Sequence, residues 1–418
     1  MLRHRRAPVA FARCSATLTF ALMLMPVQAM AQQVDRGTSA LDLPRPGYEP
    51  RKLHFGSSVV SPEMRVEGLY DSNVFATSTN EADDFILSVA PRIDAISEFG
   101  KLRLRTDANV AHREYVDHGR ESRTTFGGGT KGDYAISQKH SINLGARFDR
   151  DVESRADPEA NNNPNLPPRK INSLAGELGY RYRGNRIGFS LQGGVDKQNY
   201  LDPTESDRDM TTYRGSARVS VQMSAGKDLF VEGYVNRRDN RLSFDRSGVD
   251  RDNTTIGFLT GIGLDIGTKW RGDMGVGLFR SDPDDPTLKS FTGFGANGRL
   301  TWSPDERTAV TAEVFRGDVA TIRSGAGGRI DTRASLRLDQ EIRHNLLLNA
   351  RVGVRSTTYR GASSSQRQTT AFVGAETEYL MNRFVSVFVN GTYSKRYAKI
   401  DSEKFNKGGV GIGLRLRY

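Results

Sequence analysis

Thirteen arginines sit at alternate positions of short stretches in which polar and apolar residues interleave: Arg103, Arg105, Arg147, Arg181, Arg214, Arg218, Arg271, Arg299, Arg333, Arg337, Arg351, Arg415 and Arg417. Asp107, Asp149, Glu177, Glu232, Asp265, Asp273, Glu376 and Glu378 occupy the same polar faces. Guanidinium groups around a water-filled passage attract anions. Paired with carboxylates on neighbouring strands, the same groups would brace a wall. The two roles are compatible, because a braced wall with surplus arginine still encloses a positive pore.

Other chemistries find no constellation in the sequence. The six histidines, His4, His54, His112, His118, His140 and His344, include no H-E-x-x-H pair. No G-x-S-x-G elbow is present. His112, near a strand end, and His118, in the following loop, read as surface histidines in preference to parts of a hydrolase. Gly127-Gly128-Gly129 lies in a strand pattern with no helix after it, which excludes a phosphate loop and suggests close strand approach. Asp282-Pro283-Asp284-Asp285 carries oxygen ligands suited to calcium, yet its spacing matches no ion loop, so it reads as a solvated acidic loop. The expectation is a non-enzyme without catalytic, cofactor or metal site.

The arginines need elements that give each strand one wet and one apolar face. In the final segment, Val410, Ile412, Leu414, Leu416 and Tyr418 alternate with Gly411, Gly413, Arg415 and Arg417. Leu102, Leu104, Thr106, Ala108 and Val110 likewise oppose Arg103, Arg105, Asp107 and Asn109. A one-residue slip would place arginine in lipid at roughly 2–4 kcal/mol each near the midplane, so the pattern fixes the register. Such segments recur from about Pro62 onward, joined alternately by very short turns and by longer loops such as residues 154–170 and 242–252. Short turns on one side and long loops on the other predict an all-β, antiparallel, up-and-down transmembrane barrel of about eighteen strands, with sixteen also fitting the pattern. Phe99, Tyr180, Tyr182, Trp270, Trp302, Tyr379 and Tyr418 near strand ends fit an interfacial girdle.

The compartment follows from the start of the chain. Arg3, Arg5 and Arg6, an apolar run from about Thr17 to Val27, and Ala29-Met30-Ala31 form a cleavable secretory signal over residues 1–31. The single cysteine, Cys14, lies within it, so a metal or disulfide site built on cysteine is not expected in the mature chain. The net charge of +11 stays positive after removal of the signal, but export argues against a nucleic-acid partner. The mean hydropathy of −0.54 does not oppose a barrel, whose strands place only alternate residues in lipid. Residues 32–61 lack sustained alternation and contain Pro44, Pro46, Gly47 and Pro50, so they read as a periplasmic lead-in, extended or folded back as a partial plug, ahead of a barrel over 62–418.

The stretch from Arg45 to Ile86 carries Arg45-Pro46-Gly47-Tyr48-Glu49-Pro50, Gly56, Pro62, Tyr70-Asp71-Ser72-Asn73-Val74-Phe75 and Asp83-Asp84-Phe85-Ile86. In these motifs the chain resembles the beta-barrel porin 2 family of Gram-negative outer-membrane proteins. The resemblance implies an outer-membrane barrel, often associated with exopolysaccharide production.

The expected function is an outer-membrane channel, or the export component for polysaccharide or small anions, with an arginine-rich lumen. A closed structural barrel anchoring an envelope complex is the alternative, and a lipid- or glycan-modifying enzyme is a third reading. Expected partners are outer-membrane lipid and lipopolysaccharide, polysaccharide export proteins, and the barrel assembly machinery, for which Tyr418 would be the recognition signal. No cofactor is expected.

Overall fold

The structure, a computed structural model, describes residue 41 and residues 45–267, 269–323, 326–360 and 367–418. The signal segment 1–31 lies outside the described residues. Alternation of apolar and polar residues gives strands throughout: β1 (Leu53–Phe55), β2 (Ser58–Asp71), β3 (Asp84–Phe99), β4 (Leu102–Tyr115), β5 (Arg123–Ala135), β6 (His140–Val152), β7 (Lys170–Arg183), β8 (Ile187–Tyr200), β9 (Met210–Ser224), β10 (Lys227–Asn240), β11 (Asn253–Ile266), β12 (Trp270–Pro283), β13 (Phe291–Asp305), β14 (Thr308–Val319), β15 (Gly328–Arg343), β16 (Leu346–Arg360), β17 (Arg367–Leu380), β18 (Val385–Ala398) and β19 (Phe405–Arg417).

From β2 onward each strand pairs antiparallel with the next, and β19 returns to β2 from Gly409 opposite Asp71 to Arg417 opposite Glu63. The result is a closed barrel of eighteen strands. β1 is an addition to it. It pairs with Ser58–Val60 of β2, immediately beyond the point where β19 stops, and so prolongs that seam. The barrel's first strand therefore begins at Ser58 rather than near Pro62. The residues before it are tied to the turn end of the barrel: Arg45 and Glu341 form a buried ion pair at 3.2 Å, and Tyr48 meets His344 edge-on.

Exposure confirms the two faces. Leu178, Val231, Val410 and Ile412 are more than half exposed on the outside, whereas their neighbours Glu232, Gly411 and Arg415 are buried or nearly so on the inside. The aromatics expected at the interface lie on the outer face near the turn end, where Trp270 and Trp302 stack with centroids 5.9 Å apart and Phe384 packs against Tyr418.

The wall departs from a plain cylinder at one place. β13 pairs with β14 only between Asp305/Thr308 and Ala296/Arg316, so the loop end of β14 leaves its neighbour. Asp318 then reaches the inner faces of β10–β12, where it pairs with Arg238 at 2.5 Å and accepts from the Thr255 hydroxyl at 2.9 Å. The loop end of β14 is thus folded into the barrel.

At the opposite seam, the N-terminal motif has a structural task. Asn73, fully buried, donates through its amide to Thr77 O and Asn406 O, both at 2.8 Å, and accepts from Thr77 N–H at 3.0 Å. Asn406 belongs to β19, so this one side chain helps fasten the last strand to the first. Val74 and Phe75 pack with Ile86 and Tyr115 beside it, and Asp84 accepts the backbone N–H groups of Val116, Asp117 and His118. An Asn73→Ala variant loses three buried hydrogen bonds and should be less stable by about 2–3 kcal/mol. Heating series on gels that separate folded from unfolded barrel should show its transition at a clearly lower temperature than that of the parent.

Candidate functional site: the charged lumen and its loop clasp

All thirteen arginines singled out by spacing share the inner face, opposite the exposed apolar side chains. Most are engaged with carboxylates. Arg147 bridges Asp107 (2.9 Å) and Asp149 (2.7 Å), and Arg218 bridges Glu232 and Asp273, both at 2.6 Å. Arg299 and Arg351 share Glu313, Arg333 pairs with Asp331, and Arg337 with Asp339. Arg214 pairs with Asp196, Arg271 with Asp265 at 3.8 Å, and Arg103 with Glu98 at 3.5 Å. Arg415 touches Glu63, Glu376 and Glu378, and Arg417 joins it on Glu378. Arg105 and Arg181 take their places on the inner faces of β4 and β7. The inner charges therefore form cross-strand ladders around the barrel, with arginine seldom far from an acid.

Inward aromatics hold several of these guanidinium groups flat. Arg65 lies 3.7 Å from the Phe388 ring centroid and Arg218 lies 3.9 Å from that of Phe230. Each ring in turn covers a glycine on an adjacent strand. A Cβ on Gly413 would collide with Phe388, and one on Gly261 would come within 2.7 Å of Phe230. Glycine, aromatic ring and guanidinium thus stack from the wall toward the lumen, an arrangement that fills the space under the ring and fixes the charge above it. Gly127 and Gly129 serve a related purpose, since a Cβ at either would meet Asp149 or Arg147.

The loop between β6 and β7, residues 153–169, crosses this lumen. In a barrel running from β2 to β19, β15 and β16 lie half-way round from β6 and β7, so the loop spans the full width. Its neck is pinned by Arg169 and Arg208, which both grip Glu153, at 2.9 and 2.6 Å. Arg155 pairs with buried Glu121 at 2.5 Å. At the far wall, Asp157 meets Arg355 at 2.9 Å and Glu159 meets Arg329 at 3.0 Å. Arg396 donates to the carbonyls of Ala156 and Asp157. The segment that follows β14 completes the clasp, with the Thr321 hydroxyl donating to Glu159 at 2.6 Å and Ile322 N–H at 3.2 Å. Two elements from opposite walls thus meet on one carboxylate. Beside them lies a space open to solvent and bordered by Tyr200, Arg208, Arg238, Arg251, Arg329 and Arg355.

Sequence reasoning did not pick out Arg329, Arg355, Arg396, Asp157 or Glu159. The three arginines obey the same parity as the thirteen, so extending the inner-face register to the strand ends would have found them. Nothing in the loop's own composition shows where its carboxylates land. The other candidates are placed separately. Asp282 pairs with Arg280, Asp284 with Arg237, and Asp285 accepts from Thr287 and Asp250, so these acids do not converge on one point. Among the described residues there is no group of three or more histidine, cysteine or acidic side chains fit to hold a metal ion. His112 contacts Thr124 and Glu114, while His118 contacts Asp84. Tyr418 ends the seam on the outer face, its N–H directed at Pro62 O.

Burial opposes ionisation of Glu159, yet Arg329, the Thr321 hydroxyl and the Ile322 N–H together hold its carboxyl below the ordinary value of 4.5. A pKa lower in the clasped loop than in a released one means that the ionised form favours the clasp. That stabilisation is complete above the ordinary value and disappears as pH falls through the lowered one. Protection of the amides of residues 154–168, corrected for intrinsic exchange, should stay level from neutral pH down to about 5 and decline at more acid pH. In Glu159→Gln the protection should already be low at neutral pH.

A sequence profile of the family described as "Putative beta-barrel porin 2" matches residues 45–418. A search of the curated proteins finds no match. Among solved structures, OccK9 (OpdG) of Pseudomonas aeruginosa aligns at 12% identity and a TM-score of 0.46, covering 86% of this chain and 98% of its own. OpdK of the same organism, solved with vanillate, aligns at 10% identity and a TM-score of 0.44, covering 86% and 99%. The FrpB iron transporter of Neisseria meningitidis aligns at 9% identity and a TM-score of 0.43, covering 86% and 81%. Nothing about cargo follows from these likenesses.

Proposed function

The chain belongs to the beta-barrel porin 2 family, and from that premise we propose that it is a non-enzymatic, gated channel of the outer membrane that passes anions, either acidic saccharides or small carboxylates. The observation that carries this reading is the pairing of a lumen lined by arginine on most of its strands with a loop clasp made of breakable polar contacts. A barrel of this strand number encloses more space than its inward side chains fill, which suits a conduit. Guanidinium groups stacked on Phe230 and Phe388 are held in fixed planes by ring and carboxylate, so the inner charges keep their places as an anion passes. Arginine is also suited to this task because it stays charged at any pH the envelope meets.

In this account the signal over residues 1–31 directs export and is cleaved, and Tyr418 presents the terminal strand to the barrel assembly machinery. Lipopolysaccharide surrounds the loop end, and export proteins for polysaccharide would meet the periplasmic turn end. The second reading, a closed barrel that anchors an envelope complex, is favoured by the same clasp together with the Arg45–Glu341 tie at the turn end.

Reversal potentials in a salt gradient across planar bilayers test the proposal. Open events should favour chloride over potassium, and replacing Arg103, Arg105 and Arg181 with glutamine should move the reversal potential toward the cation value. Folded barrel that never carries current, in any loop state, would instead establish the closed structural role.

A further inference from the structure

We propose that Arg329, Arg355 and Arg396 form a carboxylate-binding site on the β15–β18 wall, occupied here by the chain's own Asp157 and Glu159, and that a ligand bearing several carboxylates displaces the loop. This inference rests on the channel reading for its consequence but not for the binding itself.

The first ground is the nature of the loop's attachment. Residues 153–169 are rich in Asn and Pro and contain a single large aliphatic side chain, Leu166, which is exposed. The loop has almost no apolar surface to bury, so charged hydrogen bonds hold it across the lumen. Contacts of that kind can be replaced one for one by the carboxylates of a ligand, since the wall sees the same oxygen atoms at the same distances.

The second ground is the charge left behind. The acids bordering the adjoining space are Glu153, Asp157, Glu159 and Asp318. Only Asp318 belongs to the wall strands. The arginines are Arg208, Arg238, Arg251, Arg329 and Arg355, three of them on strands and none on the β6–β7 loop. Asp331 neutralises part of this charge through Arg329, Arg333 and Arg355. When the loop withdraws, Asp157 and Glu159 leave while Glu153 stays at the neck, and every arginine stays. Arg396 adds a further cation, stacked on Phe405 and donating to Thr370 as well as to the two loop carbonyls. A buried cation that now bonds neutral oxygens gains more from a carboxylate than one already in an ion pair.

The third ground is access. Both clasped carboxylates border a space that opens to solvent, which gives a ligand a path to the site as the loop lifts. Exchange can then proceed stepwise, one arginine at a time.

Competition between loop and ligand has a measurable signature. A site blocked by its own loop binds with an affinity reduced by the fraction of time the loop is away, and unblocking restores the intrinsic value. Calorimetry on the full-length refolded barrel, with tricarballylate, oligogalacturonate and neutral maltooligosaccharide as probes, should therefore give at least about tenfold tighter binding of a carboxylated probe to Asp157→Asn/Glu159→Gln than to the parent. Arg355→Gln/Arg396→Gln should lose that binding while still giving the folded band on gels. Maltooligosaccharide should not bind any of them. Tighter binding of both acids identifies the carboxylate alone as the determinant, and a gain confined to oligogalacturonate identifies an acidic saccharide. Equal affinity of parent and loop variant, or no binding to either, would overturn the proposal. If the loop variant binds tightly yet conducts no more than the parent, the site stands and the channel reading falls.

Discussion

The constraint on which the structure depends is that a strand in a bilayer has no water to satisfy its backbone. Every N–H and C=O in the apolar slab must find another strand, which leaves a closed barrel as the stable form of this chain. Closure occurs at β2 and β19, where the register from Glu63 to Asp71 is secured at one end by Asn73 and prolonged at the other by β1. These two reinforcements stand at the two ends of a nine-residue pairing, one of the shorter ladders of the wall. Beyond Arg316 of β14 the ladder to β13 ends early, toward the loop end, and there the freed segment has gone inward to the Glu159 clasp.

Closure forces half of the side chains inward, and the inner face shows how charge is accommodated. Networks such as Arg147–Asp107–Asp149 and Arg415–Glu376–Glu378 keep guanidinium groups next to acids on the same strand or two strands away. Removing one member of the buried Arg415 cluster would leave its partners uncompensated, a cost of about 3–5 kcal/mol. Aromatic rings set over glycines hold the arginine planes at fixed angles. The same wall is thus rigid in its strands and exchangeable only where a loop supplies the counter-charge.

The amino-acid sequence made much of this legible. Alternation in segments such as Leu102–Val110 and Val410–Tyr418 is a period-2 signal that lipid on one side and water on the other cannot leave ambiguous, so strand identity, register and the inner position of the thirteen arginines could all be read from it. The inward phenylalanines could not. Phe230 and Phe388 share parity with charged residues, and their role depends on glycines of the next strand, Gly261 and Gly413. The destination of Asp157 and Glu159 was equally hidden, because a polar loop carries no periodicity and its partners lie half a barrel away in space. The motif from Arg45 to Ile86 revealed kinship, whereas its physical work, sealing the seam through Asn73 and Asp84, needed coordinates.

The central claim is that the β6–β7 loop closes an otherwise continuous lumen. Single-channel recording from a chain in which residues 154–168 are replaced by a short glycine-serine linker tests this most directly. The account predicts long-lived open levels several-fold larger than any level of the intact chain. A correctly folded variant with the parent's conductance would contradict it.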